Sequence, residues 1–185
     1  MNILTDALPD TVTVNGTEYR VDPDFRSCLL IMLAFEDNEL TPQEKQAVLL
    51  QNLYVDMPED RDAASLAAVE FLNGGKEGGA GGPRLYSFSK DAGYIFSAFR
   101  QTHGIDLDTE DLHWWKFVAL FLDMGADTTF CNLVSLRKRI KTGKGSKEER
   151  QAAREMGEVF DVPEYDTRTL DEKEREAEFM RLVRS

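Results

Sequence analysis

The stretch Leu112-His113-Trp114-Trp115-Lys116-Phe117-Val118-Ala119-Leu120-Phe121-Leu122-Asp123-Met124 decides the fold class. A surface helix keeps one polar face, and this run leaves almost none. A helix from just after Asp108-Thr109 to about Met124, ended by Gly125, is therefore expected to be the most buried helix of a helical core.

Helical periodicity continues on both sides of it. Asp22-Pro23 reads as an N-cap followed by a first-turn proline, with Asp24 favouring the positive end of the dipole. Phe25, Cys28, Leu29, Met32 and Phe35 then recur at helical spacing. Thr41-Pro42-Gln43-Glu44 is a capping box that opens a helix to about Tyr54. Pro58 and Glu59-Asp60 open a third helix, with Ala63, Leu66, Ala67 and Phe71 on one face. A fourth begins around Ser89, carries Ala92, Ile95, Phe96 and Phe99, and stops near His103-Gly104. A sixth spans about Thr129 to Lys141. Ser146 with Glu149 is a second capping box, opening a seventh helix that groups Ala152, Met156, Val159 and Phe160.

The N-terminal end has a different period. Thr11-Val12-Thr13-Val14 and Thr17-Glu18-Tyr19-Arg20-Val21 flank Asn15-Gly16, the preferred pair for a two-residue type I′ turn. That turn pairs Val14 with Thr17 and Val12 with Tyr19, so Val12, Val14, Tyr19 and Val21 share one face. A lone hairpin is marginal in water, so this face must rest on the helices. The sequence thus predicts a mainly α protein. Residues 1–160 form a compact helical domain of about six to seven helices with a β-hairpin at 11–21. Residues 161–185, containing Pro163, read as a linker and an acidic, charged C-terminal helical extension. Asn73 to Pro83, rich in glycine, reads as a mobile connector.

Charge narrows the function classes. The 185 residues carry a formal net charge of −12. Broad nucleic-acid binding needs Lys and Arg to neutralise phosphate, so it is disfavoured, as is an anionic membrane surface. The N-terminus lacks a signal peptide's basic start and apolar run, and Cys28 to Phe35 is too short to span a bilayer. A cytoplasmic location is expected. Two isolated cysteines, Cys28 and Cys131, make no disulfide framework, and free thiols are expected.

Motifs for chemistry fail on their residues. Gly75-Lys76 is followed by Glu77, and Glu70 stands where a P-loop needs its first glycine. Cys28, His103, His113 and Cys131 show no zinc-ligand spacing. No G-x-S-x-G elbow is present, and His113 beside Trp114 reads as a hydrogen-bonded core residue. The chain is therefore expected to have no cofactor and to act by binding, not catalysis.

One segment departs from the acidic average. Arg137, Lys138, Arg139, Lys141, Lys144, Lys147, Arg150 and Arg154 are interrupted by only two acids, Glu148 and Glu149. Cations near a helix C-terminus suit its dipole, which accounts for Arg137 to Lys141 but not for Lys144 to Arg154. These eight residues are the candidate partner-binding set, for an acidic partner or for head-to-tail self-association.

Several blocks carry a family resemblance. They are Asp24-Phe25-Arg26, Phe71-Leu72-Asn73-Gly74-Gly75-Lys76-Glu77, Tyr86-Ser87-Phe88-Ser89-Lys90-Asp91-Ala92-Gly93-Tyr94-Ile95-Phe96-Ser97-Ala98-Phe99, and Gly104-Ile105-Asp106-Leu107 leading into Leu112-His113-Trp114-Trp115-Lys116-Phe117. In this order, over roughly residues 10 to 160, they resemble the bacteriophage gene-product-fifteen family of tailed phages and prophages of Gram-positive bacteria. The resemblance implies a gene placed among tail genes, close to that of the tape measure protein. It also implies a tail assembly chaperone that binds the tape measure and other tail proteins in the host bacterial cytoplasm and is absent from the mature virion. The alternative is a structural tail or connector component retained in the virion. The resemblance supplies no catalytic residue. The Leu112 to Phe117 block is open to two readings, partner surface or core, and its apolar spacing favours core.

Overall fold

A computed structural model describes residues 3–74 and 83–162. Most of the glycine-rich connector and residues 163–185, with the expected C-terminal helix, lie outside the described residues. The hairpin is as the sequence predicts. Strand β1 (Thr11–Val14) pairs antiparallel with β2 (Thr17–Arg20), matching Val12 with Tyr19 and Val14 with Thr17. Asn15 at φ 50° and Gly16 at φ 82° both occupy the positive-φ region that the turn demands. The outer edge of β2 is covered in turn: Val55 donates its N–H to Arg20 O at 3.1 Å, and Val21 bridges Tyr54.

Seven α-helices follow among the described residues: α1 (Phe25–Glu36), α2 (Pro42–Leu53), α3 (Arg61–Leu72), α4 (Ala92–His103), α5 (Trp114–Leu122), α6 (Thr129–Lys141) and α7 (Lys147–Met156). The capping boxes at Thr41 and Ser146 are both formed. Helix α1 begins later than Asp22-Pro23 suggests, because Asp24 is the N-cap and accepts from Arg26 N at 2.8 Å. The two earlier residues are held in other bonds: Asp22 N donates to Leu53 O at 2.7 Å, and Pro23 O accepts from Trp114 N at 2.7 Å. Helix α5 begins at Trp114, not after Thr109. The preceding loop is held open by Arg26, whose Nη2 donates to the carbonyls of Leu107 and Glu110, both at 3.0 Å, and to that of Asp108 at 3.3 Å.

The core is built around an aromatic column. The Phe117 ring stacks on Phe25 of α1 at 5.1 Å and on Phe99 of α4 at 4.9 Å. Within α5 it also stacks against Trp114 at 5.5 Å and Phe121 at 6.1 Å. Phe121 extends the column to Phe130 of α6. Three expectations are corrected here. Leu66 does not share the buried face of α3; that face is Ala64, Ala68, Phe71 and Leu72, and Leu66 is 75% exposed. Helix α5 keeps a solvent face, with Leu122 78% exposed: Trp114, Phe117 and Phe121 are buried, and Trp115, Val118 and Leu120 are partly buried against the core. Helix α7 buries Ala153, while Met156 and Val159 are exposed.

The adjacent tryptophans close the end of α3. Trp114 Nε1 donates to Leu72 O and Trp115 Nε1 to Phe71 O, each at 2.8 Å. These carbonyls belong to the last turn of a helix, beyond the reach of its own ladder; Phe71 O also accepts from Gly74 N at 3.0 Å. Trp114→Phe keeps an aromatic ring but deletes the N–H donor with the indole's second ring, leaving a buried carbonyl unpaired. Chemical denaturation should show a loss of about 1–3 kcal/mol.

Candidate partner-binding surface

The eight basic residues of the candidate set divide into two groups. Arg137 is not on the surface, a correction to its place in that set: it is fully buried. Its phase explains why, since Phe130, Leu133 and Arg137 share the inward face of α6. All five of its guanidinium N–H donors are used. Nη1 reaches Asp91 Oδ2 at 2.7 Å and Leu85 O at 3.1 Å, and Nη2 reaches Asp91 Oδ1 at 3.0 Å and Val159 O at 2.6 Å. Nε donates to Phe160 O at 2.9 Å. A buried charge persists when it is paired and hydrogen-bonded in this way.

A second buried pair lies beside it. Arg84 meets Glu36 at the end of α1. Glu36 also accepts from Ser87 Oγ at 2.7 Å and Phe88 N at 2.9 Å, and Asp91 accepts from Ser87 N at 3.0 Å. Residues 84–91 are thus strapped down by two carboxylates, which explains why α4 begins at Ala92 and not near Ser89. Lys141 belongs to the same strap, its Nζ donating to Arg84 O at 2.8 Å. Arg139 pairs with Glu149 at 2.7 Å. The Ser146 amide holds the Glu149 carboxyl below its usual range, and Arg139 pulls the same way.

Lys138, Lys144, Lys147, Arg150 and Arg154 are exposed and have no ion pair among the described residues. Lys147, Arg150 and Arg154 lie at i, i+3 and i+7, within about 60° of one another around α7. The acids Glu148 and Glu155 occupy the neighbouring flank, where they accept hydrogen bonds from Ser146 and Gln151. Arg150 and Arg154 border a groove of about 480 Å³, lined also by Ile140, Ala153, Gly157, Phe160 and the acidic Asp161. An apolar floor between two arginines can receive the apolar stripe of an amphipathic helix, with that helix's acids on the arginines and away from Asp161.

The other candidate groups have structural partners. His113 is the N-cap of α5: its Nδ1 accepts from Trp115 N at 3.0 Å, which leaves Nε2–H to donate to Pro9 O at 2.9 Å. His103 Nε2 lies 2.9 Å from Leu120 O. Both cysteines are free thiols, and burial pushes Cys28 up to about 12, with Asp22 and Asp24 adding to the effect. Among the described residues no group of His, Cys, Asp and Glu could hold a metal, and no helix is long and apolar enough to cross a membrane.

A model of the bacteriophage Gp15 protein family matches residues 4–162. The chain belongs to this family. No characterised protein and no solved structure matches it significantly. The Gp15 match covers the hairpin and all seven helices, including the basic face of α7. Two of the blocks that carry the family resemblance meet in space. Phe25 N donates to Leu112 O at 3.0 Å, Trp114 N donates to Pro23 O, and Asp24 forms an antiparallel bridge with His113. The Trp114 and Phe117 side chains are 3% and 1% exposed, so this part of the Gp15 chain is core.

Proposed function

We propose that this Gp15-family protein is a phage tail assembly chaperone that binds the tape measure protein in the host cytoplasm and leaves before the virion is complete. Membership in a bacteriophage family is the observation that carries the reading. The surface supports a binding role: five exposed cations gather at the α6–α7 end of a chain with net charge −12. Beside them, the groove floored by Ile140, Ala153 and Phe160 suits an apolar stripe on a long helical partner. On this reading the chain acts by binding and carries out no catalysis.

Coexpression with the tape measure protein tests the proposal. The tape measure should be soluble and should retain this chain through purification. A soluble tape measure that never retains it would overturn the reading, and abundant copies in purified virions would favour a structural tail component. The charge-reversed variant Lys147→Glu/Arg150→Glu/Arg154→Glu alters only exposed side chains. It should weaken the complex at least about tenfold and flatten its salt dependence, measured by calorimetry at two ionic strengths.

A further inference from the structure

We propose that the C-terminal segment of this chain, residues 170–183, docks on the cationic face of its own α7. The point from which it departs is fixed beside that face. Arg137 Nη2 donates to Val159 O at 2.6 Å and its Nε to Phe160 O at 2.9 Å. Lys90 Nζ donates to Asp161 O at 3.3 Å, and Val162 is 7% exposed. Phe160 and Asp161 line the same groove as Arg150 and Arg154. The chain therefore leaves the described fold at the edge of this groove, with residues 163–185 still to follow.

Charge and spacing fit the segment to the face. Lys147, Arg150 and Arg154 are exposed and have no ion pair among the described residues. Between Glu164 and Glu178, seven acids stand against three basic residues, Arg168, Lys173 and Arg175. At helical spacing from the capping pair Thr169 and Glu172, the positions Glu172, Glu176, Phe179 and Val183 fall within about 60° of one another. One face thus joins two carboxylates to two apolar side chains. The groove offers the complement, with Arg150 and Arg154 beside Ile140, Ala153 and Phe160. Asp161 in the groove, and Glu148 and Glu155 on the neighbouring flank of α7, repel the same carboxylates and confine them to the Lys147, Arg150 and Arg154 stripe. Reach favours the chain's own segment over that of a second copy. Residues 163–169 can span up to about 25 Å, against about 15 Å for the length of α7. So short a tether gives a local concentration on the order of millimolar. The docking stands independently of the proposed function; only its consequence, that the tape measure must displace this segment to enter the groove, rests on that reading.

Amide hydrogen exchange of the full chain, followed at residues 170–183 with no partner present, tests the docking. These amides should be protected at low salt and exchange at least about tenfold faster at high salt. Lys147→Glu/Arg150→Glu/Arg154→Glu should release them to the same extent while core amides are unchanged. Glu172→Lys/Glu176→Lys should do the same, and the two sets combined should restore protection. Zero-length carbodiimide coupling in an equal mixture of isotope-labelled and unlabelled protein should join Lys147 to Glu172 or Glu176 within one chain. Unprotected amides in the unaltered chain overturn the proposal. So does protection that the α7 reversal leaves intact, or a combined variant that recovers none. Coupling chiefly between labelled and unlabelled chains would assign the face to a second copy and overturn it too. No tape measure enters the test, so its failure leaves the chaperone reading standing. A chain that docks this segment yet never retains the tape measure would sink that reading alone.

Discussion

Arg137→Ala is expected to cost about 3–5 kcal/mol of stability, because it strands a buried carboxylate. Asp91 loses both guanidinium bonds, and the carbonyls of Leu85, Val159 and Phe160 lose their donors with it. These partners come from two places in the chain: the strap before α4, which ends at the N-cap Asp91, and the turn after α7. Their loss together should lower Tm by about 10 °C and loosen residues 157–162 in particular. Arg137→Lys keeps the charge but cannot present five donors in a plane, so it should recover only part of the loss. The double variant Arg137→Met/Asp91→Leu removes both charges and should be less destabilised than Arg137→Ala alone. Thermal melts of the three variants check this. A loss for Arg137→Ala within about 0.5 kcal/mol, the range of ordinary surface substitutions, would mean that the pair holds nothing.

The same residue shows where sequence reading stops. Local signals were legible: the Asn15-Gly16 turn, both capping boxes and the C-terminal stop at Gly104 are all present. Each is decided by residues within a few positions, whose side chains answer to their own backbone. Arg137 is decided by Asp91, 46 positions away, and in a charge count it looks like one more surface cation. The one local clue was phase, since it lies seven positions after Phe130 and four after Leu133, on the apolar stripe of α6. The late starts of α1 and α5 have the same cause. Pro23 and Leu112 are held in bonds across the fold, and local capping preference yields to them. The candidate surface was legible only in part for this reason. The set Lys138, Lys144, Lys147, Arg150 and Arg154 emerges once folding has withdrawn Arg137, Arg139 and Lys141 into pairs of their own.

Phe117→Ala is expected to be comparably destabilising, by a different mechanism. The Phe117 ring is 1% exposed and lies between Phe25 and Phe99, so α1, α4 and α5 meet across it. Truncation removes the buried ring and leaves a cavity that three helices cannot close together, a loss of about 3–5 kcal/mol. A domain of this size has about 5–15 kcal/mol in total, so the variant should melt far earlier and expose apolar surface to a reporter dye. Phe117→Leu fills most of the volume but forfeits the stacking with Phe25, Phe99 and Trp114. Its cost should be smaller, about 1–2 kcal/mol, of which the lost ring contacts account for much. The graded pair separates packing from binding. The rings stacked on Phe117 are Phe25, Phe99, Trp114 and Phe121, none of them on α7, so under the proposed function folded Phe117→Leu protein should bind the tape measure as tightly as the unaltered protein. Loss of binding in a variant that circular dichroism shows to be folded would assign the Leu112 to Phe117 block to the partner surface after all. A cost below about 1 kcal/mol for Phe117→Ala, the level of a single exposed contact, would mean that the three helices do not meet through this ring.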